Sequence, residues 1–158
     1  MLSRIFPEHI DNRYRGNKLA IWLFYPIVFL NAAIGLVVIF RADSGVQSAD
    51  GIPLDTYGAA AAHAVVGVAA FLGLAGLLLS LLYLLALFRY RAMIPLMYVL
   101  ITLNYLGHKG IALMKPITRN GTASGSYVTT GLFALTVAGL VLSLSGKGYL
   151  QGQDSKAG

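Results

Sequence analysis

The sequence predicts an all-α integral membrane protein, a four-helix up-down bundle with both termini in the cytoplasm. Three observations carry that reading. The chain of 158 residues is 57% hydrophobic with a mean hydropathy of +0.71, outside the range of soluble domains. Its apolar residues gather into four runs of about 19 to 32 residues, each able to cross a ~30 Å hydrocarbon core at 1.5 Å per residue. No Asp or Glu falls inside any of the four. A soluble bundle would need a polar face on each helix, and these runs have almost none.

Twelve Lys and Arg against six Asp and Glu give a formal charge of +6. In a soluble domain that balance would suggest nucleic acid. Here the basic residues flank the apolar runs, so lipid headgroups and topology account for them, and no nucleic-acid partner is expected. The absence of cysteine excludes disulfides, thiolate catalysis and Cys-ligated metal, and leaves the redox compartment open.

Residues 1–18 place Arg4, Arg13, Arg15 and Lys18 among Leu2, Ile5, Phe6 and Ile10, the pattern of an interfacial tail lying on headgroups; a disordered basic leader is the competing reading. A cleavable signal peptide is not expected, because the first apolar run follows about eighteen largely polar residues and is long enough to span. That run, 19–40, would be ~33 Å long as a helix. Trp22, Phe24 and Tyr25 stand at its start like an interfacial aromatic belt, Pro26 is a candidate kink, and Asn31 is its one strongly polar side chain.

The connection Arg41–Thr56 has Gly45, Gly51 and Pro53 as turn formers and Asp43, Asp50 and Asp55 as acids. Its spacing does not match an EF-hand, so Asx-turns and capping of the next helix by Asp55 are expected instead. The second span, 57–88, would be ~48 Å long and overshoot the core, so it either tilts or leaves its Ala-rich start, 58–64, outside the hydrocarbon. Ala69 and Gly73, continued by Gly76, form a thin face that another helix can approach.

The RYRA turn at 89–92 forces an antiparallel hairpin. The third span, 93–114, carries Pro95 in its first turn, where a missing N–H costs little, and ends before Lys115-Pro116 and the Asn120-Gly121 turn. The fourth span, 127–145, holds Thr129, Thr130, Thr136 and Ser143, whose hydroxyls can bond carbonyls one turn back. A small polar tail, 146–158, is expected to be disordered toward its end. The N-terminal tail, the RYRA turn and the C-terminal tail hold four, two and two Lys or Arg, against Arg41, Lys115 and Arg119 on the other side. This bias sets the cytoplasmic termini. Asn120-Gly121-Thr122 then forms a glycosylation sequon on the outer side, relevant only in a eukaryotic secretory route.

The stretches IDNRYRGNKLAIWLF, SADGIPLDTY and RYRAMIPLMYVL resemble small four-helix membrane proteins of bacteria that carry no assigned activity. The resemblance covers most of the first three spans and implies a bacterial inner membrane.

The third span also carries the groups a bilayer should reject: Asn104, Tyr105, His108 and Lys109. Measured from the cytoplasmic ends, Asn31 stands at ~18 Å, Asn104 at ~17 Å, Thr136 at ~15 Å and Gly76 at ~18 Å, one layer in which Asn31 and Asn104 could hydrogen-bond across the bundle, with Thr136 between them. Above it, Asn104 and His108 share a face at i and i+4, and Tyr105 and Lys109 the next. That cluster reads either as a proton relay or anion site, or as a neutral core histidine beside a lysine snorkelling to the headgroups. Tyr98, Thr102 and Tyr105 form a stripe that could line a quinone or lipid pocket or simply pack.

A b-type haem between His63 and His108 is the one cofactor the residues raise. A straight hairpin separates the two by ~15 Å in height, whereas axial ligands of one iron must lie within ~4–5 Å, so no cofactor is expected. No phosphate loop, nucleophile with base or intramembrane carboxylate pair is present. Two function classes follow. One is a non-catalytic accessory subunit or lipid-interacting scaffold, with lipids and a protein partner or second copy meeting its small-residue faces. The other is a small carrier, channel or haem- or quinone-binding redox subunit using the His108 and Lys109 region.

Overall fold

The computed structural model describes residues 5, 12, 14, 16–117, 119 and 125–145, the side chain of residue 44 excepted. Most of the N-terminal tail, the Asn120-Gly121 turn with its sequon and the 146–158 tail lie outside the described residues. Within them the chain is all-helical: α1 (Lys18–Phe40), α2 (Ala42–Ser48), α3 (Ala59–Phe88), α4 (Ile94–Met114) and α5 (Gly125–Leu144), with 3-10 turns at Leu54–Thr56 and Arg91–Met93.

Helix α1 begins where Asn17 accepts a hydrogen bond from the Leu19 N–H at 3.0 Å, satisfying one of the donors a helix start leaves free. Pro26 stays inside α1 on an exposed face, where it offers no N–H to the Trp22 carbonyl. Along its other faces α1 packs on α3 and α5 and is the central helix, while α4 packs chiefly on α5. The α1–α3 crossing is close because two glycines meet there. A Cβ on Gly35 would lie 3.1 Å from the Gly73 carbonyl oxygen, and one on Gly73 only 2.8 Å from a Val38 methyl. The thin face expected around Gly73 is therefore used, but Gly76 faces open space.

The core sits at one end. Ala20, Phe24, Ile27 and Val28 of α1 meet Tyr83, Ala86 and Leu87 of α3 and Ile94, Met97, Tyr98 and Ile101 of α4. This end holds the start of α1, the RYRA turn and the finish of α5. Toward the opposite end no residue of α3 before Gly73 is buried, and none of α4 after Ile101. Large apolar side chains such as Phe71, Leu72 and Leu81 point outward, an arrangement that suits hydrocarbon rather than water as the surrounding medium.

Three helices, α1, α3 and α5, are long and apolar enough to cross a membrane. Helix α4 is long enough at 21 residues but is not among those three, because Asn104, His108 and Lys109 join its tyrosines and glycines in diluting its apolar content. The 41–56 connection also differs from expectation. It folds as α2 and a 3-10 turn, with Ala42 and Val46 buried and Gly51 in the left-handed region at φ 68°. Asp55 belongs to that 3-10 turn, and the residue preceding α3 is Gly58, which supplies no side-chain cap.

Candidate functional site

Two groups of polar side chains can be compared with the expected layer. Nearest the RYRA end, Tyr98 is fully buried and its hydroxyl donates to the Ala20 carbonyl of α1 at 2.7 Å. Its ring lies against Gly139 of α5, where a side chain would collide with it, and 5.0 Å from the Phe24 ring. One tyrosine thus ties α4 to both α1 and α5. The Tyr14 hydroxyl is buried close by without a hydrogen-bond partner among the described residues, and burial pushes its pKa well above the ordinary phenol value.

Higher up, Asn31 donates to the Ile27 carbonyl of its own helix at 2.7 Å, and its amide is also within reach of the Tyr105 hydroxyl. Tyr105 stacks edge-on with Phe133 of α5, centroids 6.0 Å apart. Thr136 is buried, and its hydroxyl returns to the Leu132 carbonyl at 2.7 Å. Thr129, Thr130 and Ser143 likewise bond carbonyls within their own helix, and Ser80 bonds the Gly76 carbonyl at 2.9 Å. Asn31, Tyr105 and Thr136 therefore face the interior.

The remaining members do not. Asn104, His108 and Lys109 are exposed on the second half of α4, so Asn104 turns away from Asn31. On α4 the residue that turns inward is Tyr105 instead, one residue on and about 100° around the helix. Thr102 of the tyrosine stripe bonds the Tyr98 carbonyl at 2.8 Å, and Tyr98 is core. His63 and His108 are both exposed, on helices whose buried faces lie near the hairpin that joins them. Among the described residues no group of three or more His, Asp or Glu could hold a metal ion.

A feature absent from the sequence reading lies at the RYRA end. Lys18, Ile21, Trp22 and Tyr25 occupy positions i, i+3, i+4 and i+7 of α1, one face of the helix. With Tyr14 and Arg91 they line a groove of about 480 Å³. Arg91 spends its Nε–H on the Leu87 carbonyl at 3.1 Å, which leaves its terminal nitrogens available to a ligand. The periodicity was there to be read, but the contribution of Arg91 depends on the hairpin bringing it across to α1.

At the opposite end the two connections meet. The Gly125 N–H donates to the Ala49 carbonyl at 3.1 Å. Partial desolvation raises the Asp50 pKa above the ordinary carboxylate value, and the Arg119 guanidinium opposes the rise. No family model, curated protein or solved structure matches the chain.

Proposed function

We propose that the chain is a non-catalytic component of a bacterial inner membrane, a four-helix up-down bundle with cytoplasmic termini that serves as an accessory subunit or lipid-interacting scaffold. Helix α4 is the fourth span in this reading. One observation carries it: the half of α4 beyond Ile101 leaves Asn104, His108 and Lys109 uncovered, while its first half is core. An amide or imidazole facing hydrocarbon is costly, and polar groups within spans face protein or a water-filled cavity. Lys109 can reach headgroups along its own stem, whereas Asn104 and His108 require a neighbouring helix, which a partner subunit supplies.

The test is cross-linking in native membranes. A photoactivatable residue at Ile111, one turn beyond His108 on the exposed face, is expected to trap one discrete protein, and the same residue at Leu82 on exposed α3 is expected to trap lipid. Replacement of Asn104 and His108 together by leucine should weaken that capture. Lipid adducts alone at Ile111, with no protein co-purifying from native membranes, would overturn the reading. A purified preparation absorbing in the visible like a haem protein would favour a redox subunit instead.

A further inference from the structure

We propose that the groove between the first two turns of α1 and the RYRA hairpin is a binding site for an anionic phospholipid, with Lys18 and Arg91 holding the phosphodiester. The proposal rests on the membrane reading above, in that this end of the helices must stand at headgroup level, but it holds for either leaflet. Two cations from separate elements enter one concavity, and among the described residues its lining includes no Asp or Glu. Arg91 is half-buried, with its Nε–H fixed on the Leu87 carbonyl. This anchors the guanidinium with neither terminal nitrogen bonded among the described residues, the arrangement suited to a planar two-point grip on phosphate oxygens. Lys18 adds a second, flexible charge from the first residue of α1.

The rest of the lining is amphipathic in the sense a lipid needs. Trp22 is 72% exposed and its ring centroid is 6.1 Å from that of Tyr25. Such rings sit at the membrane interface with an apolar body toward the acyl chains and a polar edge toward the headgroups. Ile21, one turn above Lys18, adds an aliphatic side chain beside Trp22, and Asn12 adds a polar group to the lining. A volume of about 480 Å³ is of the order of a small-ligand pocket, ~300–1,000 Å³, and accommodates a headgroup with its glycerol. The run from Lys18 at the helix start to the apolar Ile21, Trp22 and Tyr25 deeper along α1 distinguishes a lipid from a free anion, which would need no apolar wall.

Trp22 is the only tryptophan in the chain, so its fluorescence reports this groove. The experiment titrates the full chain in neutral detergent micelles with phosphatidylglycerol, phosphatidylcholine or inorganic phosphate at constant ionic strength. Phosphatidylglycerol is expected to give a saturable change in Trp22 emission at least tenfold tighter than phosphatidylcholine, with inorganic phosphate neither reproducing nor displacing it. Lys18→Gln and Arg91→Gln are each expected to weaken phosphatidylglycerol several-fold, while Lys115→Gln leaves it unchanged. Should Arg91→Gln fail to fold through loss of the Leu87 bond, Lys18→Gln carries the test, since Lys18 is exposed. Equal response to the two lipids, no effect of Lys18→Gln, or saturation by inorganic phosphate alone would each overturn the proposal. Recovery of the expressed chain in the soluble fraction would instead defeat the membrane reading, which separates the two failures.

Discussion

Tyr98 concentrates more of the fold than any other side chain, because three helices depend on where its ring and hydroxyl go. The hydroxyl bonds Ala20 of α1, the ring fills the space left by Gly139 of α5, and the backbone belongs to α4. Tyr98→Phe keeps the ring and loses one buried hydrogen bond, so thermal unfolding in detergent should show a loss of about 1 kcal/mol. Gly139→Ala places a methyl where the ring lies and must displace it, which also strains the Ala20 bond. It should cost about 1–3 kcal/mol, the range for overpacking, and more than Tyr98→Phe. If the two ranked the other way, the ring would not be the element that sets the α4–α5 approach. The sequence placed Tyr98 in a stripe that could either pack or line a pocket. It could not choose, because the choice depends on Gly139, 41 positions away and invisible to any local pattern.

At the scale of helices, small residues decide which pairs come close. Gly35 and Gly73 face one another at the α1–α3 crossing, whereas Gly76, one turn further, has none of the described residues within 4 Å of where a Cβ would sit. Gly73→Leu should therefore destabilise the chain strongly, because its side chain meets Val38 and the backbone of α1 at once. Gly76→Leu should be tolerated within about 0.5 kcal/mol, as for substitutions away from packed features, and circular dichroism melts of the two variants provide the comparison. The positions of the long helices were legible in hydropathy and length alone, and the hairpin in its short basic turn. The facing of α4 was not. Asn104 and Tyr105 are adjacent in sequence, and only the rotation of α4, set by Tyr98 and Ile101 in the core, turns Tyr105 inward and Asn104 outward. Helix α2 was hidden for another reason: in a connection rich in Gly, Ser and Asp its two buried residues, Ala42 and Val46, are a single i, i+4 pair.

Across the molecule the two ends differ in kind: one is a packed aromatic core, the other two connections held together at Ala49 and Gly125. The second end should be the more sensitive to pH. The Asp50 pKa is raised in the fold above 3.8, so the folded chain holds that proton more tightly than the unfolded chain. Relative stability is then greatest below the unfolded value and falls as pH rises through the folded one. Asp50→Asn removes the charge, and should be more stable than the parent above that window and equal to it below about pH 3, where both states of Asp50 are protonated. Melting curves at several pH values measure the crossing, and a parent that gained stability relative to the variant on raising the pH would reverse the sign assigned to Asp50.

The last prediction concerns how the whole chain lies in its membrane. The end with the packed core also carries Lys18, Arg89 and Arg91, while the other carries Arg41, Lys115 and Arg119, so the described segments alone are balanced. The asymmetry from which cytoplasmic termini are expected comes from Arg4, Arg13, Arg15, Lys147 and Lys156 in the two tails. The native chain has no cysteine, so Tyr90→Cys and Gln47→Cys each give a single thiol without background. In sealed right-side-out vesicles an impermeant maleimide should label Gln47→Cys and reach Tyr90→Cys only after the vesicles are opened. Removing the three tail arginines by substitution should blur that difference into a mixture, because α1 would lose the charges that keep its start on the inside. A uniform reversal in the parent, with residue 90 labelled from outside, would show that residues 89 and 91 do not face the cytoplasm and that the charge count does not govern the first span.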